Sequence, residues 1–90
     1  MTQGRIERIR HKLQSAFAPA TLEIRDDSAL HAGHAGARGG AGHYAVAIQA
    51  EAFRGLRQLE RHRLVYKAVA DMIPQEIHAL TIDAAAPGEN

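Results

Sequence analysis

Residues 43 to 83 read HYAVAIQAEAFRGLRQLERHRLVYKAVADMIPQEIHALTID, and the way this stretch parses decides the fold. Its first eight residues alternate, with Tyr44, Val46 and Ile48 on one face and Ala45, Ala47 and Gln49 on the other, the period of a β-strand. Gly55 then punctuates the chain. Beyond it Leu56, Leu59, Leu64, Val65, Ala68, Val69 and Met72 recur on a helical period that stops before Pro74, as one helix or two short ones. Glu76 to Asp83 alternates again, with His78, Leu80 and Ile82 sharing a face. Two strands joined through a helix make a right-handed crossover, so they are expected to lie parallel.

Upstream, Ile6, Ile9, Leu13 and Phe17 form an apolar stripe at spacings of three and four. They predict a helix that starts after Thr2, its N-cap, and ends before Pro19. TLEIRD, residues 21 to 26, alternates with Leu22 and Ile24 on one side, a strand with one solvated face. The connection to the next strand is short enough for a hairpin, so these two strands run antiparallel. The expected order is α, β, β, α, β, an α+β domain. Parallel neighbours begin at the same end of a sheet, so the hairpin loop, His43 and His78 should converge on one edge.

That loop reads HAGHAGARGGAGH from 31 to 43, with three histidines, five glycines and four alanines. Hairpin loops usually have about two to five residues, and much longer ones are commonly functional or disordered. Neutral imidazoles at His31 and His34, with His78 supplied across the sheet edge, fit a metal site, and the glycines would let the backbone fold close around an ion. Taken alone, His34 and His43 read as surface side chains at a loop and a strand start. A closed structural zinc site generally includes cysteine, so histidines alone would make an atypical one. A phosphate cradle fits poorly, because GARGGAG lacks the P-loop pattern and leads into a strand instead of a helix.

Ninety residues with 46% apolar content make one small domain, here residues 1–84, followed by a tail at 85–90 that is expected to fray. Eleven Lys and Arg against ten Asp and Glu leave a net charge of +1. No global field calls for nucleic acid or an anionic membrane, so any basic surface must be local. The absence of cysteine excludes disulfides and a thiolate nucleophile, and suits a reducing, cytoplasmic setting. The charged N-terminus has no signal-like apolar core, and no apolar run reaches membrane-spanning length.

Arg54, Arg57, Arg61, His62, Arg63 and Lys67 gather on and just before the second helix, interrupted among acids only by Glu60. The default reading is a solvated face. The sharper one is a docking surface for phosphates, DNA or an acidic partner, carried by Arg57, Arg61, His62, Arg63 and Lys67. No GxxG clamp or aromatic stacking platform supports RNA binding by the KH route. Catalysis lacks a nucleophile: Ser15 and Ser28 have no glycine-framed elbow, and no spacing forces an aspartate against a histidine.

DDS at 26–28 followed by a histidine loop, HY at 43–44, FRG at 53–55, LERHRLVY at 59–66 and IHAL at 77–80 together resemble the BolA family over nearly the whole chain. The resemblance implies a KH type II-like αββααβ fold, with a three-stranded mixed sheet and the helices on one face. It also implies a non-enzymatic protein, a monomer or weak homodimer alone, that pairs with a monothiol glutaredoxin and shares a [2Fe-2S] cluster. In such pairs the glutaredoxin cysteine and a bound glutathione supply thiolates. The BolA side supplies the histidine of the HAL motif, here His78, and a loop ligand. His31 aligns best with that ligand by its spacing after DDS, and His34 competes for the role. The family is also described as DNA-binding transcription regulators, with the basic helix implicated.

Overall fold

The computed structural model describes residues 2–27 and 42–89. The first helix, α1, runs Thr2–Phe17. Its stripe is the expected one: Ile9 and Leu13 are fully buried, with Ile6 and Phe17 packed beside them. The helix ends where Ala18, in the left-handed region at φ 44°, precedes Pro19, and the Ala18 N–H donates to the Gln14 carbonyl at 3.0 Å. The residue before a proline is pushed out of helical geometry, which fixes that end.

Strand β1, Thr21–Asp26, and strand β2, Gly42–Gln49, pair antiparallel from Thr21 opposite Gln49 to Asp26 opposite Tyr44. Strand β3, Ile77–Ala85, lies parallel to β2, giving the sheet order β1-β2-β3 with β2 central. The crossover between them holds one α-helix, α2, Gln58–Ala68, flanked by 3-10 turns at Glu51–Phe53 and Ala70–Met72. Helix α1 lies against β1, α2 lies against β3, and the helices touch each other. Tyr44, Val46 and Ile48 from the central strand meet Ile9, Leu13, Phe53, Val65, Val69 and Met72 in one core. Lys12 Nζ donates to Asp71 Oδ2 at 2.8 Å, tying α1 to the end of the crossover and holding the Asp71 carboxyl below its usual range.

Two readings of the pattern are corrected. The buried row of α2 is Arg61, Val65 and on to Val69, at four-residue steps, so the helix turns Leu59 outward to 61% exposure instead of into the core. In β3, His78 does not share the face of Leu80 and Ile82. Gly42 is opposite Ile77 whereas His43 is opposite Ala79, so one step on β2 is matched by two on β3. The extra residue is His78. Ile77 therefore takes the buried place and His78 is exposed.

The FRG motif is architectural. Phe53 is fully buried against the Phe17 ring, with centroids 5.1 Å apart. The Arg54 guanidinium bonds both oxygens of Glu51 and the Pro87 carbonyl. Gly55 holds φ 81° with open space around an added Cβ. Gly55→Ala is therefore predicted to destabilise through backbone conformation alone, by about 1 kcal/mol, measured as a lower urea midpoint with an unchanged slope.

Candidate functional site

The end of the sheet from which residues 28–41 depart is closed by two backbone bonds. The Asp27 N–H donates to the His43 carbonyl at 2.7 Å, and the Gly42 N–H to the Glu76 carbonyl at 3.0 Å. Those bonds fix both feet of the connection, so β1 ends, β2 begins and β3 begins at one edge. The convergence expected from topology is present for His43 and His78. His31 and His34 lie outside the described residues.

The two described histidines differ in environment. His43 is half-buried on the outer face, its Nε2 3.0 Å from Thr81 Oγ1, so that ring is already engaged across the strand pair. His78 is exposed, at the residue that the bulge leaves without a partner on β2. Around them the edge is charged and cross-linked. Glu76 Oε1 pairs with Arg5 and Arg8 from α1, and Arg25 grips both oxygens of Asp27 at 2.7 and 3.2 Å. That fork raises the Arg25 pKa. A groove of about 560 Å³ on the outer sheet face, among Glu23, Arg25, Ala45, Ala47, Thr81 and Asp83, does not include His78.

Among the described residues no three His, Asp or Glu side chains converge as a metal site, and the chain has no cysteine. His78 offers one exposed imidazole. Any metal centre it joins takes its other ligands from outside the described side chains.

The basic helix is divided. Arg57, Arg63 and Lys67 are exposed and, among the described residues, enter no ion pair; His62 is half-buried. Arg61, expected on that surface, is instead 5% exposed. Its Nε donates to the Leu56 carbonyl at 2.9 Å, its Nη1 to the Ala84 carbonyl at 3.0 Å and to Glu89 Oε1 at 2.7 Å, and its Nη2 to Glu89 Oε2 at 3.0 Å. A guanidinium in the buried row of a helix needs its donors satisfied, and the fork with Glu89 does this. Glu89 Oε1 also accepts from the Ala86 N–H at 2.8 Å. The segment expected to fray from residue 85 is thus fastened to α2 as far as Glu89. Glu89 and Tyr66 are the structural actors that the pattern did not reveal, since their partners stand 28 and 14 residues away.

With this geometry in place, comparison with known proteins is direct. The family model described as BolA-like protein matches residues 13–89. The chain belongs to the BolA family. It is 42% identical over 87 residues to SufE-like protein 1, chloroplastic/mitochondrial, of Arabidopsis thaliana, covering 91% of this chain and 24% of that one. It is 38% identical over 76 residues to the DNA-binding transcriptional regulator BolA of Escherichia coli, covering 84% of this chain and 70% of that one. The solved BolA domain of SufE1 from Arabidopsis thaliana superposes with a TM-score of 0.84 at 39% identity, covering 96% and 95% of the two chains. The chain spans between a quarter and three fifths of the length of several of its curated relatives. No described helix is long and apolar enough to cross a membrane.

The clamp is predicted to contribute stability that is lost in acid. The Arg61 guanidinium, then the Ala86 N–H, lowers the Glu89 carboxyl from 4.5 to about 2. A carboxyl depressed in the folded state contributes fully above its unfolded value and loses that contribution as pH falls through the folded one. The difference in urea midpoint between wild type and Glu89→Gln should therefore be constant above about pH 5 and shrink between about 4.5 and 2. A difference independent of pH would count against the clamp.

Proposed function

We propose that this chain is a non-enzymatic adaptor that pairs with a monothiol glutaredoxin and co-ligates a [2Fe-2S] cluster through His78 and one loop histidine, His31 or His34. The observation that carries the reading is the bulge at the sheet edge. It turns the HAL histidine out of the core, beside the feet of the histidine-bearing connection. The chain's lack of thiolates and of a three-ligand cluster among the described residues supports a half-site completed by a partner. The glutaredoxin cysteine and glutathione would supply the sulfur ligands, and a cluster with imidazole ligation offers a raised potential and exchangeable binding. His78 must be neutral to bind, so assembly should weaken in acid. Cluster trafficking or iron and redox sensing in the cytoplasm, including the response to stress, completes this reading.

A second reading, transcription regulation through DNA binding, is favoured by the name of the Escherichia coli relative and by the exposed cations of α2. With Arg61 engaged inside, Arg57, Arg63 and Lys67 remain, helped by His62. Three phosphate contacts imply a log–log salt slope of only about −2.7.

The test is anaerobic cluster reconstitution with a monothiol glutaredoxin and glutathione, followed by visible absorption and circular dichroism of wild type, His31→Ala, His34→Ala and His78→Ala. The expected result is a heterodimer spectrum distinct from that of glutaredoxin alone, lost in His78→Ala and in one loop variant. Identical spectra for all four proteins would remove the histidines from the site and leave DNA binding as the better reading.

A further inference from the structure

Tyr66 stands on the outer side of α2, 39% exposed, between Arg63 and Lys67. A ring there could simply face solvent. Its hydroxyl instead donates to the Leu80 carbonyl at 2.9 Å. Leu80 belongs to β3, an edge strand, and lies two residues beyond His78. Arg61 bonds the Ala84 carbonyl on the same strand, so one helix pins β3 at two points four residues apart.

The two pins have different neighbours. Ala84 lies deep in regular pairing with β2, opposite Ile48, where the ladder already fixes the strand. Leu80, opposite Tyr44, sits in the second pair beyond the bulge, where pairing jumps from Ile77 to Ala79 and leaves His78 unmatched. A bulged residue has no ladder partner to fix its direction, so its orientation depends on how firmly the flanking residues are held. Among the described residues, the Tyr66 hydroxyl is the side-chain bond to β3 backbone nearest to His78.

We propose that Tyr66 is a positioning residue for His78: its hydroxyl anchors the strand just after the bulge and so sets the direction in which the imidazole leaves it. A ligand held in one orientation before binding loses less freedom on binding and keeps the metal longer. This rests on the reading of His78 as a ligand.

The test is Tyr66→Phe, which keeps the ring and removes only the hydroxyl, with Gln58→Ala, exposed on the same helix, as a control. Three quantities are read: amide hydrogen exchange at Ala79 to Thr81, order of the His78 ring by NMR relaxation, and the rate of cluster loss from the reconstituted heterodimer. Loss of one hydrogen bond predicts exchange about fivefold faster at those amides, a more mobile His78 ring, and cluster loss faster by a similar factor. Gln58→Ala should change none of them. Unchanged exchange and ring order in Tyr66→Phe overturn the proposal, even if His78→Ala still abolishes the cluster spectrum. A lower melting temperature with His78 order and cluster lifetime intact overturns it too, since that is the mark of a merely structural bond. If His78→Ala leaves the cluster spectrum untouched, the ligand reading fails instead, whatever the exchange rates of Tyr66→Phe.

Discussion

The parallel pairing of β2 with β3 is the constraint on which the rest of the structure depends. It forces the chain to cross over the sheet, which creates α2 and the flanking 3-10 turns. It also brings the start of β3 to the edge where β1 ends and β2 begins. A chain with two hairpins would have sent the HAL segment to the opposite end of the sheet. The one-residue excess in this pairing then changes the chemistry of the edge. Ile77 goes in, His78 goes out, and an imidazole stands exposed beside the two feet, Asp27 and Gly42, of the connection that carries His31 and His34 in sequence.

Helix α2 serves that strand from the other side. A helix rich in arginine invites an electrostatic reading, yet its most buried charged residue closes the fold. Arg61 gathers the Leu56 and Ala84 carbonyls and both oxygens of Glu89, joining crossover, edge strand and C-terminal segment through one guanidinium. Arg54 acts alike at the neighbouring turn, bridging Glu51 and the Pro87 carbonyl. Much of LERHRLVY is thus explained by packing and pinning: Glu60 accepts from the Arg57 N–H at the helix start, Val65 fills the core, and Tyr66 reaches Leu80. What remains for partners on this helix is a smaller surface of Arg57, Leu59, Arg63 and Lys67.

The elements whose signal is local were legible in the sequence. Strand β1 carries the expected bounds, β2 is shifted by one residue, and α1 shows its stripe and its proline stop, because alternation and the helical period act within a few residues of chain. The crossover and its parallel pairing followed from connection length. What the pattern missed depends on pairing over distance. The bulge at His78 is a property of two strands together, so period-two counting on β3 alone put His78 on the face of Leu80. The place of Arg61 was partly readable, since it falls on the same four-residue row as Val65 and Val69. Its partner Glu89 was not, because nothing local marks a carboxylate near a chain end as the counterpart of a buried arginine. The histidine edge was inferred from topology, and His43 and His78 do lie there, His43 with its ring against Thr81 and His78 exposed.

The most direct measurement of the central claim is pulsed EPR of the reduced cluster in the heterodimer, with histidine nitrogen-15 label in this chain alone. Ligation by His78 predicts strongly coupled nitrogen from the labelled chain that is lost or halved in His78→Ala. Absence of strong nitrogen coupling in the wild-type complex would show that no imidazole of this chain binds the cluster, and would contradict the role assigned to the bulge.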